Sequence, residues 1–452
     1  MPTDTIKIKR LKAMYRLRAK VDDMYTSGLE AMKDGRPVAW SMVTWWHADP
    51  VFKAMDLEVV YPENYAAMVA ASGKASRYLD LCDADGFPTH LCGYSRINLG
   101  YVSRMVNGCA GGIPPEAPMG GLPKPVMMLS HSMLCDARVK WFQSLGRYMD
   151  TPVWMMETAL PGVEEWNDPD VRKWSLKLVM DEIEQFIAYL ERMLGRKLNR
   201  DRYDEMLSDM ITLSRLAYKT FELRKATPCP MHSRDFWSVM PPYLYMSGDL
   251  KDSIDCYQAL YDEVEQRVAS RIGAVEPEKY RLLFAELPPW HSLEFFDRLA
   301  ERGWNFVKES WAYNPPRPLE GLEDISDPVE RHARFHLHVA TGYHADALAD
   351  DEYMGYLGYP YVKFAKDYAC DGAFFHGLMT CRSASTHHPY TRELLMRKLK
   401  IPSFQVEGDL VDLRLFNAEE ALRRAEVFEE SMDYYRELRQ QEHFPADNMQ
   451  PA

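Results

Sequence analysis

No apolar stretch in this 452-residue chain approaches the roughly 20 residues that a bilayer-crossing helix needs, so no membrane partner is expected. The first ten residues lack the apolar segment of a secretory signal, which points to a cytoplasmic protein. Positive charge is in short supply. A net charge of −13 argues against nucleic acid as a partner, because phosphate binding draws on lysine and arginine. The eight cysteines include no C-x-x-C pair; a disulfide framework is not expected in a reducing compartment, and the long, irregular spacings argue against a structural zinc site. There is no G-x-x-x-x-G-K-[ST] loop and no strand-borne G-x-G-x-x-G, so no nucleotide is expected to bind this chain. Internal repeats and low-complexity segments are absent as well.

What remains is 46% hydrophobic, enough for two or three cores. Residues 5–33 read as one amphipathic helix, basic then acidic. Strand-like runs follow at 37–43, 57–61, 124–130 and 153–157, with helical patterns from 62 and over 136–148 between them. Such alternation predicts parallel βαβ units. From about 168 to 270 the strand signal gives way to helical spacing over 170–194, 200–225 and 250–271, interrupted by an aromatic loop reaching Pro242. Alternation returns with strands at 280–286, 305–308, 372–378 and 403–407, helices at 291–302 and 388–399, and a long charged helix capped by Asn417. The expected organisation is an N-terminal helical arm (1–35), a first α/β domain (36–165), a helical segment (166–272) and a second α/β domain (273–452). The fold class is therefore α/β, with two Rossmann- or flavodoxin-like parallel-sheet domains and a helical insertion.

Cys92, Cys135 and Cys381 each stand where an apolar run ends, and helix-like patterns follow the second and third. A thiol in a strand-to-helix turn meets free backbone N–H groups and the positive end of a helix. Both favour a thiolate and can hydrogen-bond to cluster sulfides. The setting suits an iron–sulfur cluster. Three thiolates on a [4Fe–4S] centre would leave one iron open to a small ligand or substrate oxygen. Since open parallel sheets bind ligands at strand carboxyl ends, a shared cluster is expected in the cleft between the two α/β domains. Cys82, Cys109, Cys229, Cys256 and Cys370 read as small buried hydrophobes.

The cysteine contexts match a known family. Cys370-Asp371-Gly372-Ala373-Phe374-Phe375, Cys381 and Lys400-Ile401-Pro402-Ser403-Phe404-Gln405-Val406-Glu407-Gly408-Asp409-Leu410-Val411-Asp412 carry the resemblance, helped by Cys92-Gly93-Tyr94, Cys135 ahead of Lys140-Trp141-Phe142, and Tyr280-Arg281-Leu282 before Pro288-Pro289-Trp290. From about residue 37 onward the chain resembles the 2-hydroxyacyl-CoA dehydratase and ATP-dependent benzoyl-CoA reductase subunits. The segments 263–268 and 409–416 look most similar to the larger, B- or O-type reductase subunit. The resemblance implies that Cys92, Cys135 and Cys381 ligate a [4Fe–4S] cluster. It also implies a homologous second catalytic subunit, an ATP-hydrolysing iron–sulfur activator and reduced ferredoxin as electron source. The implied reaction is dearomatising reduction of an aromatic acyl-CoA thioester. Dehydration of a 2-hydroxyacyl-CoA is the alternative enzyme, and a non-catalytic electron-relay subunit is a third reading.

Either chemistry needs placed acids to deliver protons and apolar walls to keep water away. By analogy with the dehydratases, Ser41 and Glu63 are candidate catalytic residues beside the substrate, although Trp45, Trp46 and His47 depart from the dehydratase pattern. His131 and His376, each on a strand that leads to a cysteine, are candidate proton donors. His332, His336, His338 and His344 form the densest histidine group, but no carboxylate or cysteine stands at ligand spacing. The basic residues between Lys7 and Lys20 suggest a solvated helix face, with coenzyme A phosphates or a partner subunit as the other possibility.

Overall fold

A computed structural model of the chain describes residues 6–43, 49–133, 135–158, 160–245, 249–309, 314–350 and 354–441. Trp45, Trp46 and His47 lie outside the described residues. The described strands are β1 (Lys7–Ile8), β2 (Val38–Ser41), β3 (Glu58–Val60), β4 (Met127–His131), β5 (Val153–Met156), β6 (Val275–Glu276), β7 (Tyr280–Ala285), β8 (Trp304–Lys308), β9 (Gly372–Leu378) and β10 (Ser403–Gly408). Two four-stranded sheets result, in the orders β3-β2-β4-β5 and β10-β9-β7-β8, and every pairing within them is parallel. Numbered from its own first strand, each sheet has the order 2-1-3-4, the second being written here from its opposite edge. The two halves therefore share a four-stranded parallel architecture that no sequence repeat betrays.

Burial explains why these strands lack alternating polarity. Along β7 and β9, Leu282, Phe284 and Phe374 join one apolar cluster, while Leu283, Ala285, Ala373 and Phe375 join another on the opposite face. Parallel strands covered by helices on both sides have no wet face to pattern. Phe284 and Phe374 stack with centroids 5.2 Å apart.

Helices dominate between the sheets: Pro169–Leu194, Arg200–Glu222 and Leu250–Ala269. Their starts follow the capping rule, with Asp168, Asn199 and Asp249 each accepting a first-turn backbone N–H. Ser175, Val179, Ile183, Phe186, Ile187 and Leu190 form the buried stripe of the first. The aromatic loop expected before Pro242 contains the helices Ser233–Val239 and Pro241–Leu244, too short to leave a readable period.

The N-terminus departs from the single helix expected over 5–33. Residues 7–8 pair antiparallel with β6, and the helix spans Met14–Lys33. Distant acceptors take the intervening backbone donors. Lys9 N donates to the Ala274 carbonyl (2.7 Å), Leu11 N to Asp235 (2.9 Å), and Lys12 N and Ala13 N to Glu263 (3.0 and 2.9 Å). Local periodicity cannot reveal partners more than 220 residues away. The basic opening is largely consumed within the chain, with Lys9 on Glu276 (2.6 Å), Arg10 on Asp235, Arg16 on Asp252 (3.6 Å) and Lys20 on Asp252 and Asp23.

Lys308, at the end of β8, is buried over the rings of Phe364 and Tyr368, and burial pulls its pKa down to about 8. Between that value and the ordinary 10.5 the unfolded chain binds the proton and the folded chain does not, so stability rises with pH across this window. The gain is expected to be on the order of 3 kcal/mol, at about 1.4 kcal/mol per pH unit. Urea unfolding of wild type and Lys308→Met at pH 8 and pH 10.5 should show this rise only in wild type.

Among the described residues no helix is long and apolar enough to cross a membrane.

Candidate functional site

Each candidate cysteine caps a helix. Cys92 precedes Gly93–Gly108, Cys135 precedes Asp136–Met149, and Cys381 precedes the short turn Arg382–Ser385. Cys135 and Cys381 occupy the expected turns after β4 and β9. Cys92 does not follow a strand: it lies between the helices Ala75–Ala84 and Gly93–Gly108, neither of which the sequence pattern announces.

Two contacts draw these turns together across the two sheets, and a third braces them within the second. Gly93 N donates to Thr380 Oγ1 (3.2 Å), joining the residue after Cys92 to the residue before Cys381. Arg382 donates to Asp136, joining the residues that follow Cys381 and Cys135. Thr380 in turn donates to Asp409, whose other oxygen accepts from the backbones of Val411 (3.0 Å) and Asp412 (2.9 Å). Asp409 is fully buried, so this carboxylate organises the loop after β10 against the Cys92 helix. A Cβ on Gly93 would stand 2.6 Å from Val411 Cγ2 and 2.8 Å from Asp409 Oδ1, so the close approach requires glycine there.

The thiols are half-buried and within electrostatic reach of one another. Burial pushes the Cys92 thiol well above its ordinary value, and the nearby Cys381 and Cys135 push it further. Cys381 is pushed up to about 11, chiefly by burial, with Cys135 and Glu286 adding to the rise. Burial also raises Cys135, opposed by Arg138. Three thiols at helix starts, drawn from both halves and close enough to affect one another, form the soft donor set that an iron cluster takes as thiolates, so the residues present fit such a centre.

Glu63 lies in the first turn of the helix Pro62–Ala71. Asn98, on the Cys92 helix, donates to the Pro62 carbonyl (2.9 Å) and fixes that turn beside the thiols. Burial raises the Glu63 carboxyl, opposed by Arg138, which donates to Oε2 (3.2 Å). Arg138 carries no signal in the sequence that would single it out. It also donates to the Val43 carbonyl (3.1 Å), and its Nη1 stands 2.8 Å from Nε2 of His131. The same imidazole nitrogen stands 3.1 Å from the Val43 carbonyl, so His131, Arg138 and Val43 meet at one point. Burial first, and then Arg138, holds the pKa of His131 well below the ordinary value. His131 is thus a neutral ring bracing the Glu63–Arg138 pair.

The other two candidates are committed differently. Ser41 is buried at the end of β2, with its hydroxyl donating to the Met42 carbonyl (2.9 Å). His376 lies within β9, where Nδ1 donates to the Leu287 carbonyl (2.7 Å) and burial lowers its pKa to about 4. In the histidine group, His332 bonds Tyr203 (2.7 Å), His338 the Arg317 carbonyl (2.5 Å) and His344 the Pro161 carbonyl (3.3 Å), on separate partners.

A family model described as "2-hydroxyglutaryl-CoA dehydratase, D-component" matches residues 46–432. The chain is 24% identical over 424 residues to the (R)-2-hydroxyisocaproyl-CoA dehydratase alpha subunit of Clostridioides difficile, covering 92% of this chain and 95% of that one. It is 22% identical over 443 residues to the lactoyl-CoA dehydratase alpha subunit of Anaerotignum propionicum, covering 95% and 98%. With a benzoyl-CoA reductase subunit of Thauera aromatica, of the B type, it shares 24% identity over 363 residues, 78% of each chain. With a match spanning most of its length, the chain belongs to the 2-hydroxyglutaryl-CoA dehydratase, D-component family, and its relatives include both dehydratase alpha subunits and a benzoyl-CoA reductase subunit.

Proposed function

We propose that this chain is the catalytic subunit of an ATP-dependent reductase that dearomatises benzoyl-CoA or a substituted analogue to a cyclohexadiene-carbonyl-CoA. The observation that carries the reading is the convergence of Cys92, Cys135 and Cys381 from both halves of the molecule. Their thiolates would hold a [4Fe–4S] cluster, which when bound supplies single low-potential electrons. Tyr94, hydrogen-bonded to Trp290, and Tyr245 lie beside Glu63 and support an aromatic acyl group there, since flat apolar walls bind a ring and exclude water. Glu63 is the group we assign to proton transfer: burial favours its protonated form, while Arg138 fixes its orientation and limits the rise. The names of the relatives as subunits support a multi-subunit assembly; the partners we assign to it are a homologous second subunit, an ATP-hydrolysing iron–sulfur activator and reduced ferredoxin.

A second reading, dehydration of a 2-hydroxyacyl-CoA, is favoured by the near-complete coverage of the dehydratase alpha subunits against 78% of the reductase subunit. Anaerobic assays with partner and activator separate the two. Benzoyl-CoA should be consumed with stoichiometric oxidation of the reductant. If a 2-hydroxyacyl-CoA instead turns over many times per electron supplied and benzoyl-CoA does not react, the dehydratase reading replaces the first.

Two variants test the residues. Glu63→Gln should lower kcat by about 10²–10⁴-fold, the range for loss of a proton-transfer group, with iron and sulfide content retained. Gly93→Ala should cost about 1–3 kcal/mol in urea unfolding, as overpacking does, and reduce iron retention by pushing the Cys92 helix off Asp409 and Val411.

A further inference from the structure

At the carboxyl end of the second sheet, outside the thiol triplet, three more ligand-type side chains meet. Glu286 follows β7 directly. His387 and His388 begin the helix His388–Leu399, which comes after β9 in the chain. β7 and β9 are neighbours at the point where the strand order of that sheet reverses, the place where open α/β sheets bind ligands. One ligand atom from each of the three lies within 4.8 Å of the other two.

We propose that Glu286, His387 and His388 bind a single divalent transition-metal ion of the Zn²⁺ and Fe²⁺ class. Two imidazoles and one carboxylate form the donor set that such ions take while keeping a position open for water. The proposal concerns nitrogen and oxygen donors only and does not depend on the thiols holding a cluster.

The surroundings support it independently. Each donor has an outer partner of the kind that orients metal ligands. Tyr361 Oη donates to Glu286 Oε1 (2.7 Å), His387 Nδ1 stands 2.9 Å from Thr391 Oγ1, and His388 Nδ1 donates to Gln405 Oε1 (3.4 Å). That last bond fixes the tautomer, leaving Nε2 of His388 with a bare lone pair. Nε2 is buried with no hydrogen-bond partner among the described residues, in a residue only 1% exposed. A buried nitrogen acceptor facing no donor calls for an electrophile. Glu286 also holds a backbone φ of +77°, a costly conformation for a side chain with a Cβ, and of the kind that clusters at functional sites. The side chain of His387 is 11% exposed, which leaves the site a route from solvent.

His387 Nε2 and Glu286 Oε1 are 2.6 Å apart, a direct hydrogen bond. Tetrahedral ligation at roughly 2.0–2.1 Å needs donors about 3.3 Å apart, so an ion would replace the shared proton with a movement under about 1 Å. Binding should therefore release a proton.

The test uses the full chain, purified anaerobically with any subunit that accompanies it. Zinc, iron and acid-labile sulfide are measured on the protein as isolated. After chelator treatment, Co²⁺ is titrated as a coloured stand-in and then competed with Zn²⁺. The expected result is one ion per chain beyond the iron matched by sulfide, or one equivalent of Co²⁺ with a tetrahedral visible spectrum free of thiolate charge transfer. His388→Gln should weaken Co²⁺ binding by at least about 100-fold. Thr391→Val, which keeps all three donors, should weaken it by about 10–100-fold, the usual effect of losing an outer partner. Iron, sulfide and thermal melting should be unchanged in a folded variant. If His388→Gln does not fold, Thr391→Val decides. The proposal is overturned if wild type takes up neither Zn²⁺ nor Co²⁺ at these donors, or if the folded variants bind Co²⁺ as tightly as wild type.

Discussion

Replacing Cys92, Cys135 or Cys381 by serine, one at a time, is expected to strip iron and sulfide from anaerobically purified protein and to abolish turnover. The same change at Cys82, Cys109, Cys229, Cys256 or Cys370 should leave both intact. The contrast follows from what surrounds each sulfur. The first three are half-buried and cap helices, with Cys135 and Cys381 raising the pKa of Cys92 and Cys135 that of Cys381 where their neighbours converge. Cys82, Cys229, Cys256 and Cys370 are buried among apolar side chains, and Cys229 already donates to the Met231 carbonyl (3.3 Å). Serine is nearly isosteric but is a hard, weakly acidic oxygen, so it keeps the shape and loses the soft anionic ligand that iron–sulfur centres take. Iron and sulfide analysis with EPR of the reduced protein reads the outcome, and circular dichroism guards against simple unfolding. Retention of the full iron content in all three variants would remove the basis of the proposed chemistry.

What could be read from the sequence was what depends on neighbours along the chain. The strands at 37–43, 124–130 and 372–378 were visible because both sheets are buried on two faces and so leave unbroken apolar runs. Asn417 was readable as a cap because its partner, Glu420 N, is three residues on (3.0 Å). The cysteines stand out through their local contexts, but nothing local says that Gly93 meets Thr380 across 287 residues. Arg138 escaped because one arginine in an amphipathic helix looks like a solvated charge, and only the fold turns it toward Glu63 and His131. Glu286 and His387 are 101 residues apart, so no spacing rule links them. The helical reading of residues 5–13 failed for the converse reason, since β6, Asp235 and Glu263 capture that backbone from a distance.

Long-range polar contacts also decide where the molecule is most vulnerable to substitution. Arg224 follows the helix Arg200–Glu222, and Glu309 follows β8; both side chains are fully buried. The guanidinium grips the carboxylate with two bonds, Nη1 to Oε2 (2.5 Å) and Nη2 to Oε1 (2.7 Å), and Nη2 also donates to the Phe306 carbonyl (2.9 Å). Ser233 adds a donor to the same carboxylate (2.9 Å), and the guanidinium lies 5.0 Å from the centre of the Phe236 ring. The pair thus ties the helical segment to the second sheet. Desolvation makes such a pair a weak net stabiliser, but removing one partner strands the other charge in an apolar interior. Arg224→Met is therefore expected to cost about 3–5 kcal/mol in urea unfolding, among the largest effects of any single change in this chain. Glu309→Leu should cost a similar amount. The double variant should recover much of the loss, because neither charge then remains to be paired. If the two single losses simply add in the double variant, the energetic value of this contact lies in packing and not in the ion pair.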